Sequence, residues 1–377
     1  MKADSEATVV EQVGQHVRDL IASKGLKRGD SLPSYRQLAQ DLQVGYTTVK
    51  LAMDALEEHG IVQRQAARGC FVNRELSGAG RLMKKMGIIY PASRHALFSS
   101  PYLLEILRGF HAVEGAFGDL HIFSLRQDGL VSAAQIAAQG VDGVVLLGVE
   151  NDDYLRAFHA WEFPGVVVDY HTADMPLDCV VCDNAAGARR AVRQVLELGH
   201  RRLLYVERAL ASSTLTPGAN DPLPLKPSDA IERRDAVSAE LRAAAPVRWD
   251  VVALWNEGDV KETAFRSAWD RAASAWSGRP TVVLTDDEVM ARTVALELAE
   301  LGLRVPEDVS VCALAMAGEV KLGDRPLTGC RFDFVSMGQQ AVSLLQNRYE
   351  NPTTTRVVTH RIGFEFVEGQ TVKRVEG

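Results

Sequence analysis

Near the start of the chain Val10, Val13, Val17, Leu20 and Ile21 recur at helical spacing, which predicts an amphipathic helix ending near Lys24 and Gly25. Gly29, Asp30 and Pro33 then predict a turn, and Ser34 with Gln37 three residues on predicts a capping box. That box opens a second helix carrying Leu38, Ala39 and Leu42. A tight turn at Gln43, Val44 and Gly45 leads into a third helix, from Tyr46 to about His59, stopped by Gly60. Val49, Ala52, Met53 and Leu56 form its apolar stripe, so Tyr46, Thr47 and Lys50 fall on the outer side of its first turn. Ile61-Val62 and Cys70-Phe71-Val72 alternate around QRQAARG as the strands of a hairpin.

Asn73 to Lys85, small and polar with two glycines, has the composition of a connector. From Met86 onward short apolar runs alternate with helical stretches. The runs MGIIY, LHIFSL, GVVLLG, GVVVD, RLLYV, DVVAL, TVVLT and VSVCA predict strands. Helices are expected at Tyr102–Phe117, Ala185–Leu198, Glu232–Ala244, Lys261–Ala275 and Val289–Leu301. Continuous Val/Leu/Ile runs mark strands buried on both faces, hence an α/β fold with parallel sheets, in which ligands bind beyond the carboxyl ends of the strands.

At 377 residues the chain has length for two or three compact units, and its 46% hydrophobic and 24% charged residues are those of an ordinary globular protein. The net charge of −7 argues against nucleic acid until it is divided. Acidic and basic side chains balance between Met1 and Glu75, so the excess acid belongs to the larger module. No apolar run approaches the ~18 residues of a membrane span, and the first residues lack a signal-peptide core. No membrane partner is therefore expected, and a cytoplasmic location is.

The five cysteines are odd in number and scattered, unlike a disulfide framework. Cys179 and Cys182 form a CxxC, but inside LDCVVCDN, where the valines predict a strand. Residues three apart then face opposite sides, and structural thiols are expected. No GxSxG, HExxH or GxxxxGK[ST] frame occurs, and the nine histidines lack metal-ligand spacing. Asp286, Asp287 and Glu288 are expected to stabilise a helix start rather than hold a cation. No catalytic residue, metal or cofactor is assigned.

The amino-terminal segment resembles the winged helix-turn-helix of the GntR family. The likeness lies in Leu32-Pro33-Ser34, Arg36, Leu38-Ala39, Leu42, Val44, Thr48-Val49, Leu56, Gly60, Val62, Gly69 and Phe71-Val72. The resemblance implies a DNA-binding domain over residues 1–75, with Arg36, Tyr46, Thr47, Thr48 and Lys50 on duplex DNA and a wing tip at Arg68-Gly69 reaching the minor groove. Gly45, Tyr46 and Ala67 depart from the family pattern, which leaves the operator sequence open.

After a linker at 76–85, residues 86–377 resemble the effector-binding domain of LacI/GalR-type regulators, a periplasmic-binding-protein-like fold. Its marks are Gly87-Ile88-Ile89, Val141-Asp142-Gly143, Asp183-Asn184, Leu198-Gly199-His200, the run from Gly302 to Val311, and Arg325-Pro326-Leu327-Thr328. The resemblance implies two α/β lobes with parallel sheets, lobe 1 from about 86–182 and 315–334, lobe 2 from about 183–314 and 335–377. Crossovers are expected near Val181–Asp183, Ala313–Ala315 and Phe332–Phe334. It also implies an effector site at Tyr102, Asp169, Arg233, Asp287 and Glu288. Ala236 replaces the glycine of an RxxG motif, and Ala315 stands where the family's GxD has its aspartate. A Pro/Ser-rich excursion from Ala209 to Asp229 exceeds the about 12–15 residues usual for a loop, and is read as a cleft lid or an insert.

The expectation is a ligand-responsive repressor of a carbohydrate-related operon. As a homodimer it would bind a pseudo-palindromic DNA operator and respond to a sugar or sugar derivative. Two other readings stay open: a large module that only dimerises, motivated by Ala315, and a sugar-binding protein with an incidental helical domain.

Overall fold

The computed structural model describes residues 9–375 apart from 28, 59–60, 66–67, 73–82, 114–116, 172–173, 209–227, 245, 255–261, 277 and 353–355. The helix stop at His59-Gly60, wing position Ala67, most of the connector and nearly all of the 209–229 excursion thus lie outside the described residues.

The reader comprises α1 (Val9–Ser23), α2 (Tyr35–Asp41), α3 (Tyr46–Glu58) and a hairpin of β1 (Val62–Gln65) and β2 (Gly69–Val72). The hairpin is antiparallel, with Val62 opposite Val72 and Gln65 opposite Gly69. The approach to α2 adds to its edge, since Leu32 N–H donates to Cys70 O and Val72 N–H to Asp30 O, both at 2.9 Å. Val13, Val17, Ile21, Leu38, Val49, Met53, Leu56 and Ile61 close one small core. The expected capping box forms only by half. Ser34 Oγ accepts from Gln37 N–H at 3.2 Å, but the Gln37 amide donates forward to Asp41 at 2.9 Å.

The large module begins earlier than the connector composition suggests, because Met83 is buried and Lys85 already belongs to a strand. Its first run is β3 (Lys85–Tyr90), α4 (Arg94–Ser99), α5 (Pro101–Ala112), β4 (Asp119–Ser124), α6 (Leu125–Asp128), α7 (Ala133–Ala138), β5 (Gly143–Leu147), α8 (Asp152–Ala160), β6 (Gly165–Val168) and β7 (Asp178–Cys182). The second opens with α9 (Asn184–Glu197), β8 (Arg202–Arg208), α10 (Ser228–Ala243), β9 (Arg248–Leu254), α11 (Glu262–Ala275), β10 (Val282–Thr285) and α12 (Glu288–Glu300). It continues through β11 (Ser310–Ala317), the small hairpin β12 (Lys321–Leu322) and β13 (Arg325–Pro326), and β14 (Thr328–Phe332). The chain ends with α13 (Phe334–Glu350), β15 (Thr359–Ile362) and β16 (Phe364–Val367).

Two six-stranded sheets result, in the orders β15-β7-β6-β5-β3-β4 and β16-β14-β11-β10-β8-β9. Within these two sheets every strand pair is parallel except β14 with β16. The expected doubly covered α/β architecture is present.

The expected division between the lobes is corrected by the sheet order. All of β11 and β14 pair in the second sheet, so residues 315–332 belong to lobe 2, and no crossover falls at Ala313–Ala315. Conversely α13 covers the first sheet and β15 pairs with β7, which returns residues 334–362 to lobe 1. The crossovers lie at Asp183, Asp333 and Gly363, where strands of one sheet run into elements of the other. The physical reason is the extra pair β15 and β16. Each closes the edge of its own sheet, and without them the last helix cannot be allocated to a lobe.

Candidate DNA-reading surface and effector cleft

The start of α3 is open to solvent. Tyr46 is 53% exposed, Thr47 and Lys50 are exposed, and Thr48 is half-buried toward the body of the domain. Arg36 is exposed in the first turn of α2. The two helices meet through the Tyr35 and Tyr46 rings, 6.1 Å between centroids at 51°. Arg68 stacks over Phe71 at 5.8 Å, and Gly69 takes φ +113°, the left-handed region that favours glycine. Arg64 is a basic residue of a different kind. Its guanidinium lies 2.7 Å from Asp54 and also pairs with Glu57, so β1 is pinned to α3 and this charge is already compensated. The side-chain hydrogen bond from Arg64 lowers the Glu57 pKa below its usual value.

In the large module the structure gathers polar groups where the carboxyl ends of the two sheets meet at the first crossover. Arg233, on α10, is 3% exposed. Its Nη1 donates to Asn184 Oδ1 at 2.8 Å, its Nη2 to Asp229 Oδ2 at 2.6 Å and its Nε to Asp286 Oδ1 at 3.4 Å. Burial alone would lower the guanidinium pKa, but the Asp229 and Asp286 carboxylates outweigh it and hold the charge in place. Tyr205 donates its hydroxyl to Asp286 Oδ1 at 2.5 Å. Burial, with Asp286 beside it, raises the phenol pKa, so the proton stays on Tyr205.

Burial raises the Cys182 thiol pKa well above its usual value, and the charges of Asp169, Arg233, Asp229 and Glu232 also act on it. Asp169 ends β6 in the left-handed region, φ +63°, and donates its N–H to Val180 O at 3.0 Å. Aspartate is among the few non-glycine residues that tolerate that conformation. Glu232, one residue before Arg233, reaches across to Arg361 of β15 at 3.8 Å, joining lobe 2 to lobe 1. All five cysteines are buried and free.

The remaining expected effector residues are placed differently. Asp287 caps α12, accepting from Met290 N–H at 2.8 Å, and Glu288 is buried beside it. Burial, assisted by the neighbouring Asp287 carboxylate, pushes the Glu288 pKa up to about 7. Tyr102 is half-buried at the start of α5 and packs on Phe334, 5.5 Å between ring centroids. Asp286, Asn184, Tyr205 and Asp229 escape the sequence reading. The acidic triplet at 286–288 is visible there, but which member turns inward depends on where β10 ends. Ala315 lies where β11 breaks register with β14, and the buried carboxylate beside Arg233 comes from Asp286, the residue after the adjacent β10.

Residues 9–72 match the profile of bacterial regulatory proteins of the gntR family, and residues 192–372 match that of the periplasmic binding protein-like domain. The chain thus joins a gntR-type helix-turn-helix to a periplasmic-binding-protein-like module. It is similar to the HTH-type transcriptional regulator CelR of Thermobifida fusca, 24% identical over 327 residues that span 84% of this chain and 87% of that protein. It is also similar to the arabinose metabolism transcriptional repressor of Geobacillus stearothermophilus, 22% identical over 363 residues and 92% of each chain.

Among solved structures, a transcriptional regulator CelR–cellobiose complex matches with a TM-score of 0.58 at 20% identity, over 90% of this chain and 100% of that one. A LacI family regulator from Enterococcus faecium with bound ribose matches with a TM-score of 0.58 at 17% identity, over 78% and 100%. At such identities the solved structures establish the fold, and it is the two-lobed one expected.

Proposed function

We propose that this protein is a ligand-responsive, DNA-binding transcriptional regulator, a repressor of a carbohydrate-related operon. One observation carries the reading. A recognition helix with an open first turn shares its chain with a two-lobed module whose interlobe ends hold a buried arginine among polar acceptors. A fixed guanidinium and carboxylates suit the hydroxyls of a sugar or sugar derivative, which need both acceptors and donors. The similar proteins are regulators, one solved as a complex with cellobiose and another named for arabinose metabolism, which supports the same assignment. A module that merely dimerises is not favoured, because Asp286 supplies a buried carboxylate although Ala315 does not.

In this reading the protein acts in the cytoplasm as a homodimer on a pseudo-palindromic duplex. Exposed apolar side chains occur on both lobes, Phe98 and Leu104 on lobe 1 and Val289 and Leu296 on lobe 2, and support a second copy as their cover. No helix among the described residues is long and apolar enough to cross a membrane.

The DNA assignment is tested on duplexes selected with the full-length protein. Arg36→Ala and Lys50→Ala are each expected to weaken binding across sequences and to reduce the slope of log affinity against log salt by about 1. Unchanged affinity and slope in both variants would remove these residues from the DNA surface.

A further inference from the structure

We infer that the cleft is built to reject anions, so that its effector is an uncharged polyhydroxylated molecule or an amino-substituted one, not a phosphorylated or carboxylated sugar. This rests on the sensor reading above and names the ligand class for that same site.

Arg233 bonds Asn184 at the start of α9, Asp229 in the first turn of α10 and Asp286 two residues ahead of α12, so three helix starts lie beside it. Helix N-termini are ready-made anion sites, because unpaired N–H groups and the helix dipole point outward there. Here each carries a carboxylate of the protein's own. Asp183 accepts from Ala186 N–H at 3.2 Å at the head of α9. Asp287 accepts from Met290 N–H at 2.8 Å at the head of α12, and Asp229 stands in the first turn of α10.

The cations are committed in the same way. Arg233 already contacts both Asp229 and Asp286, and Arg361 faces Glu232. Asp169 follows β6 of lobe 1, and Glu207 lies near the end of β8, where Arg234 and Asp286 act on it with opposite sign and Arg234 itself faces Asp235 at 3.6 Å. A phosphate or carboxylate entering would meet Asp169, Asp229, Glu232 and Asp286 with two guanidiniums already neutralised. Hydroxyls meet no such conflict. They donate to the carboxylates and accept from the remaining N–H groups of Arg233, since a guanidinium has five and three are used on the described residues. An ammonium group would gain a counter-ion.

The test uses the full-length protein and matched ligands: glucose, ribose, arabinose and cellobiose, with glucose 6-phosphate, ribose 5-phosphate, glucuronic acid and glucosamine. Thermal shift and calorimetry are read together. The expected result is binding of a neutral or amino member, with the phosphorylated or carboxylated counterpart weaker by about 100-fold or more, as like charges brought together in a closed site demand. Asp286→Asn and Asp229→Asn should each narrow that ratio to about 10-fold. The wild-type comparison stands even where a variant does not fold. An anionic member bound as tightly as its neutral counterpart would overturn the inference and leave the sensor reading intact. Binding of no member in any form would instead remove the sensor reading itself.

Discussion

Arg233 and His200 are two buried basic side chains, and their surroundings decide opposite fates. Arg233 stays charged because carboxylates outweigh its desolvation, and removing its side chain would leave Asp229 and Asp286 without their cation. His200 is fully buried with Nε2 at 3.0 Å from Lys373 O and Nδ1 at 2.9 Å from Thr281 Oγ1. A carbonyl only accepts, so Nε2 carries the proton and the Thr281 hydroxyl donates to Nδ1. Burial is the main cause that lowers the His200 pKa from 6.5 to about 4. Between those values the unfolded chain binds a proton that the folded protein does not. The stabilisation is therefore complete above pH 6.5 and lost as pH falls toward 4. From the size of that displacement the loss is roughly 3 kcal/mol. His200→Gln is expected to be less stable at pH 7 but to lose less on acidification to pH 4.5. Parallel urea titrations of the two proteins read the difference, and equal pH slopes would refute it.

At the scale of elements, the closest helix contact in lobe 1 is made by absence of side chains. A Cβ on Gly109 of α5 would lie 2.1 Å from Val335 O and 2.9 Å from Gly338 Cα of α13. Gly109→Ala must therefore push the two helices apart, and overpacking of this kind typically costs about 1–3 kcal/mol. Thermal unfolding should show the loss, and an unchanged midpoint would contradict the packing.

The partnership of α5 and α13 also shows what can be read from the chain. The eight Val/Leu/Ile runs correspond to β3–β6 and β8–β11, because strands buried on both faces have nothing else to be. In contrast β16, FEFV, alternates as an edge strand exposed on one side, and β15, THRI, has one buried residue. Such short mixed strands resemble loops. The helix α13, for which the sequence reading has no counterpart, packs on the first sheet, and so the expected lobe limits are displaced while the fold is not. The site follows the same logic. Arg233 and Asp169 came with the family resemblance and not from periodicity, and Asp286 rather than Asp287 faces Arg233 because β10 stops at Thr285, so that one residue of phase decides it.

For the whole molecule the question is how a cleft in one module alters DNA binding by another. The three crossovers at Asp183, Asp333 and Gly363, the Glu232–Arg361 contact and the packing of α5 on β11 join the lobes. A ligand that binds the closed arrangement better shifts the angle between them by its differential affinity and by nothing else. The reader precedes β3 of lobe 1 in the chain, so a change of lobe angle reaches DNA only if lobe positions fix the distance between two readers. That requires a second copy covering both lobes, which is the role proposed for Phe98 and Leu104 on one lobe and Val289 and Leu296 on the other. Phe98→Asp combined with Leu296→Asp puts charge on both apolar patches proposed as the cover between two copies and is expected to give a monomer by sedimentation. A monomer holds one half-site at a time. Its operator affinity should fall by about 100- to 10,000-fold, the advantage that linkage of two readers confers, while each reader stays folded. A variant that remained dimeric, or a monomer that kept full affinity, would show that the coupling of cleft to operator runs through some other surface.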